Sequence, residues 1–207
     1  MQNLPLQKAC SQVWLLFYKP SDTDPFQNRL VAKLSGPFCH VEIAFAERVG
    51  DEPWEKKMWG SSVYQGESVF FTPKLYRREG YVSFTLEVTR AQLEIMKAHC
   101  RRNAQRAVPF NRLAMYMSYL PWQLLELEGT FCSKHVTEVL QSARLHQVQP
   151  LNASLVTPSS LYYALVRHQA AEAPPMVMQT VPSMMTDGNR QEMAERLRQK
   201  LLANLKH

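Results

Sequence analysis

No run of eighteen apolar residues occurs in this chain of 207 residues, and a membrane-spanning helix needs about that many. There is no Walker-type glycine loop, and the aromatic residues are not spaced like a base-stacking platform. No nucleic-acid partner is therefore expected. Internal repeats are absent. The apolar stretch 13–18 is too short for a secretion signal and lacks a basic lead and a small-residue cleavage site. Cysteine is sparse: Cys10, Cys39, Cys100 and Cys132 are scattered along the chain. Such spacing suits free thiols better than a disulfide framework, and with them the cytoplasm or another reducing compartment. The tight ligand pairs of a zinc site are missing as well. A metal would have to use Cys132-x-x-His135 with Cys39-His40 or His99-Cys100. Adjacent Cys-His pairs point to opposite sides of a strand, or well apart on a helix, so no metal or cofactor is expected. Asn152-Ala153-Ser154 fits the glycosylation triplet, but without a secretion signal it reads as chance.

What is present is enough for one domain with a substantial core plus an appendage: 45% of residues are hydrophobic. The net charge of +6 permits contact with acidic surfaces without diagnosing it. Residues 1–11 read as a flexible leader, 12–169 as the domain, 170–188 as a Pro-, Met- and Ser-containing linker, and 189–207 as a basic amphipathic helix. Within the domain, 13–18 is a continuous apolar and aromatic run that suits a central strand. Phe26, Leu30 and Leu34 predict a short helix, ended by Ser35-Gly36-Pro37. Strands are predicted over 40–46, 58–64, 68–72 and 81–88. Thr89 caps a helix that runs to about residue 104, with Leu93, Met96 and Cys100 on one face. Pro109-Phe110-Asn111 opens another segment. A helix over 132–143 buries Val136, Val139 and Leu140, and Pro158 starts a last short helix over 161–166.

The chemistry centres on Thr130-Phe131-Cys132-Ser133-Lys134-His135. Gly129 and Thr130 supply a turn and a helix N-cap, which puts Cys132 in the first turn. Free N–H groups and the positive end of the helix dipole favour thiolate over thiol there. A nucleophile needs a base, and the sequence offers His40. In a strand, His40 and Glu42 share a face, so the carboxylate can hold the imidazole while the other ring nitrogen faces a thiol. Taken alone, His-x-Glu is more often a solvated strand face, and a cysteine is often a small core residue. It is the combination that points to catalysis. Ser61 and Ser62 follow Trp59-Gly60 on a strand expected beside that of His40. They are candidates for the substrate side or for orienting His40, together with Trp122 as a cleft wall, although such serines are more often surface hydroxyls on a strand and such an aromatic is more often core.

The order of these parts resembles the circularly permuted papain-like thiol hydrolases, the permuted NlpC-like, YiiX-type group. The resemblance rests on a first strand over 13–18, then Phe38-Cys39-His40-Val41-Glu42-Ile43, Trp59-Gly60-Ser61-Ser62, Phe131-Cys132-Ser133 and Val156-Thr157-Pro158-Ser159-Ser160. It covers about residues 12–168. It implies an α+β fold in which an antiparallel sheet packs against the helix bearing the nucleophile. It also implies roles: Cys132 attacks an amide or ester carbonyl, His40 moves the proton and Glu42 orients the imidazole. One departure stands out, because Lys134 occupies a position where the pattern leads one to expect an acidic residue.

Three functions follow. The first is a cysteine hydrolase that cleaves an amide in a peptide, an isopeptide or a peptidoglycan-type substrate. The second is a thiol acyltransferase or hydrolase acting on lipid esters or amides, with the basic tail helix at an acidic membrane surface. The third is an inactive papain-like scaffold whose tail helix docks a protein partner; the Lys134 departure keeps it open.

Overall fold

A computed structural model describes residues 10–46, 50, 52–119 and 128–172. It is an α+β fold built on a five-stranded antiparallel sheet in the order β4-β3-β2-β1-β5. The strands are β1 (Cys10–Tyr18), β2 (His40–Phe45), β3 (Lys57–Ser62), β4 (Phe70–Leu75) and β5 (Tyr81–Thr89). The helices are α1 (Phe26–Ser35), α2 (Arg90–Gln105), α3 (Arg112–Met117), α4 (Cys132–Ser142) and α5 (Pro158–Glu172). Residues through Val166 form one compact unit, and a second begins at Arg167. Trp122, residues 173–188 of the expected linker and the tail helix lie outside the described residues, and the first three linker positions, 170–172, belong to α5. No described helix is long and apolar enough to cross a membrane.

The apolar run of β1 lies inside the sheet, paired with β2 on one side and β5 on the other. Strand alternation then sorts its side chains. Val13, Leu15 and Phe17 join Val41, Ile43 and Phe45 in the main core, under α2 and α4. Each such side chain contributes about 1.5–3 kcal/mol by leaving water. Leu16 joins Ala44, Met58 and Tyr76 in a smaller cluster. His40 and Glu42 are in phase with Ala44, so they share its side of β2. Gly60 is part of how that side packs: a Cβ there would overlap the Tyr76 hydroxyl.

Helix α2 starts where its sequence dictates. Thr89 accepts from the Gln92 N–H, and Gln92 Oε1 accepts from the Thr89 N–H. This capping box contributes on the order of 1 kcal/mol, and Leu93, Met96 and Cys100 are the buried face. Several boundaries differ from expectation. β1 begins at Cys10, three residues before the expected start, because its pairing with β5 continues back to Thr89. β4 begins at Phe70 and runs through Pro73 to Leu75, because it is an edge strand and an edge tolerates a residue without an N–H. α5 extends to Glu172, past the point where its apolar pattern fades.

Candidate active site

Two turns bring the key side chains to one end of β2. The α1–β2 turn holds Gly36 at φ 109°, with room for no Cβ, since one would lie 2.9 Å from Ser159 Cβ. Ser159 Oγ accepts from the Phe38 N–H at 3.1 Å, which fixes the chain just before His40. The second turn sets the start of α4. Gly129 (φ 89°) sits against the Pro109 carbonyl. Thr130 bridges to Phe110, donating its N–H to Pro109 and accepting from that of Asn111. Thr130 is therefore engaged as backbone, and the N-cap falls on Phe131, which offers no side-chain acceptor. This corrects the expected Thr130 cap. It leaves the N–H groups of the first turn without a capping side chain at the residue proposed as nucleophile.

Cys132 occupies that first turn and is 5% exposed. Its sulfur lies within the electrostatic reach of His40 and of the N–H groups of Val41 and Ser133. Burial pushes the thiol up, but the His40 charge and these donors more than offset it and bring it below the ordinary cysteine value. For His40, burial pulls the imidazole down. The Cys132 charge, followed by Glu42, outweighs that and raises it to about 9. Both shifts favour the thiolate and imidazolium forms of the pair over the neutral ones.

Glu42 is fully buried, with Oε1 3.5 Å from His40 Nε2. That is an ion-pair distance, longer than an ordinary N–H···O bond. The carboxylate's close contacts lie elsewhere. Lys74 Nζ donates to its two oxygens at 2.7 and 2.9 Å, and Tyr64 and Tyr81 donate to Oε1 at 2.7 and 3.2 Å. Burial alone would raise Glu42, yet His40 and Lys74 hold it at about 2. Sequence reasoning missed Tyr64, Lys74 and Tyr81. Only the strand register reveals them, since they come from β4, β5 and the loop after β3.

Cys132 and His40 line a cleft of about 190 Å³ together with Gln27, Tyr64, Phe110 and Met115. A larger hollow of about 320 Å³ opens elsewhere, beside Glu55 and residues 75–79, and offers no thiol or histidine. Ser61 and Ser62, expected on the substrate side, are fully buried and do not line the cleft. Ser61 Oγ donates to the Phe70 carbonyl at 2.7 Å and pairs with His135 Nε2 at 2.9 Å. Ser62 Oγ donates to the Val41 carbonyl at 2.7 Å. Ser61 is shut in on the α4 side of the sheet, whereas Ser62, next along the strand, turns to the β2 backbone. Lys134 reaches away from the sulfur, to the Gly129 carbonyl at 3.2 Å and to Glu138 at 3.9 Å. Among the described residues no group of three His, Cys, Asp or Glu side chains is placed to hold a metal ion.

Comparison of the chain with protein-family models, curated proteins and solved structures finds no match.

Proposed function

We propose that this protein is a cysteine hydrolase that cleaves an amide bond, with Cys132 as nucleophile, His40 as proton carrier and Glu42 as its electrostatic partner. One observation carries the reading: a thiol at an uncapped helix start shares a cleft with an imidazole that has a buried carboxylate beside it. In the proposed cycle the Cys132 thiolate attacks the carbonyl carbon. The C–N bond breaks, the amine leaves with the proton from His40, and a thioester remains. His40 then takes a proton from water, the resulting hydroxide attacks the thioester, and the acid leaves as the thiol group is restored to its starting state. The Cys132 backbone N–H, at the head of α4, is the natural donor to the oxyanion. The chain order from strand to His40 to Cys132 supports a permuted papain-like assignment for the fold.

The test is alkylation by iodoacetamide from pH 5 to 10, with peptide mapping of each cysteine. The reading expects Cys132 to react far faster than Cys39 and Cys100 at pH 6–7. Equal rates would sink it. A second reading, acyl transfer from a lipid ester, has one observation in its favour. Phe26 (68% exposed) and Leu113 (51% exposed) stand on the helices α1 and α3 that contribute to the cleft wall. Turnover of a short acyl ester together with no turnover of any amide in a peptide library would favour it.

A further inference from the structure

The carboxylate expected to hold the catalytic imidazole does not do so at close range. Glu42 stands 3.5 Å from His40 Nε2, and that nitrogen, although buried, has no hydrogen-bond partner of ordinary geometry. Oε1, the oxygen nearer to it, already receives Lys74, Tyr64 and Tyr81. Something else must keep the ring from turning away from Cys132.

Tyr64 is the side chain in position to do it. Its ring stacks on the His40 ring, with centroids 4.9 Å apart and planes inclined by 21°. Behind it Phe70 stacks on Tyr64 in turn, at 5.4 Å and 14°, so the three rings form a short pile. The Tyr64 hydroxyl donates to Glu42 at 2.7 Å, and Lys74 closes onto both the phenol and the carboxylate. One residue thus touches the base on its ring face and the carboxylate through its hydroxyl. An aromatic face also favours the charged imidazolium over the neutral ring.

We propose that Tyr64 is a positioning residue for the Cys132–His40 pair: its ring holds the imidazole flat and charged, while its hydroxyl draws Glu42 aside so that the carboxylate acts on His40 by field rather than by a close hydrogen bond. The inference rests on the hydrolase reading for its consequence, but not for its geometry. The two contacts have opposite effects on His40. The ring stabilises imidazolium. The hydroxyl competes for Oε1 and weakens the pull of Glu42. The other groups facing His40 are the Cys132 sulfur from α4 and, through Glu42, Lys74 from β4 and Tyr81 from β5. A change at Tyr64 leaves the Cys132 and Tyr81 contacts in place, while Lys74 loses the phenol and keeps Glu42.

The experiment compares wild type, Tyr64→Phe and Tyr64→Leu. It follows the His40 ring proton by NMR from pH 5 to 10.5 and measures Cys132 alkylation by iodoacetamide at pH 7. Tyr64→Phe keeps the stack and frees Glu42, so the His40 midpoint is expected at or above the wild-type value. Tyr64→Leu loses the stack, so its midpoint is expected about one pH unit below that of Tyr64→Phe, with alkylation about tenfold slower. Equal midpoints and equal rates in the two variants would overturn the proposal. Should Tyr64→Leu fail to fold, Tyr64→Phe decides alone: a midpoint at or above wild type supports the proposal, and a fall overturns it. Slow Cys132 labelling in the wild type would count against the hydrolase reading, whereas the NMR midpoints judge Tyr64 independently of it.

Discussion

Helix α4 contributes to two cysteine–histidine clusters, one turn apart, and they behave oppositely. At the cleft, Cys132 meets His40 and Glu42. Toward the interior, His135 meets Ser61, Asn103 and, through Ser61, Cys100. Both histidines are largely or wholly buried. Yet burial pushes Cys100 up to about 12, and burial with the nearby His99 drives His135 down to about 3. His40 rises to about 9 instead, and Cys132 falls. The difference lies in the anions and the donors. Glu42 and the N–H groups of Val41 and Ser133 compensate charge at the cleft. The inner set has hydroxyl and amide partners only, so neutral forms win. Its hydrogen bonds agree with a neutral ring. Ser61 gives its proton to Phe70 and so accepts from His135 Nε2, while Asn103 Nδ2 donates to Nδ1 at 3.5 Å. Residue type is therefore a poor guide to reactivity; the charge available to each pair decides it.

The sharpest way to break this comparison is chemical. At pH 7 iodoacetamide should label Cys132 and leave Cys100 nearly untouched, and His40→Ala should slow Cys132 by about 10²-fold or more. Comparable labelling of the two thiols would erase the distinction.

The next effect is on stability and depends on pH. The native state refuses a proton at His135 that the unfolded state takes below about pH 6.5. Stability from this group is thus present above pH 6.5 and is lost as pH falls toward about 3, at about 1.4 kcal/mol per pH unit. His99, also lowered by burial and by Arg102, adds in the same direction. The His40 contribution has the opposite sign: it is present below pH 6.5 and lost as pH rises through about 9. That of Glu42 holds above pH 4.5 and fades toward about 2. Urea midpoints should therefore fall between pH 6.5 and 4.5, and His135→Gln should flatten most of that slope. A slope unchanged in His135→Gln would place the acid sensitivity elsewhere.

Smaller still is Ser61→Ala, which strips His135 Nε2 of its partner. It should cost about 1–3 kcal/mol in denaturant unfolding and leave Cys132 labelling unaltered. Cys100→Ala is expected to be mildest, at about 1 kcal/mol, again with no change at the cleft. Either variant slowing Cys132 would mean that the clusters are coupled through α4.

Much of the frame was legible in the chain. The β1 run, the alternation in β2, the Thr89 cap and the stripe of Val136, Val139 and Leu140 rest on local rules, and each lies where those rules put it. The neighbourhood of Cys132 and His40 could be suspected from helix start and strand phase. What could not be read is whatever depends on register between distant strands. Lys74 pairing with Glu42, Tyr64 stacking on His40, and Ser61 facing His135 instead of the cleft all follow from β2–β3–β4 pairing, which no local pattern encodes. Thr130 misled because an N-cap preference is weaker than a backbone bridge to Phe110.

The outermost strand on the β4 side has a further consequence. An open sheet border invites a stray strand from another molecule to dock along it. Here that border contains Pro73, which has no proton to offer, and next to it Lys74, whose ammonium is turned inward onto Glu42. An arriving strand would find an interrupted ladder and a charge it could bury only at a loss. The same lysine that steadies the carboxylate beside the cleft thereby also discourages the molecule from growing into fibres.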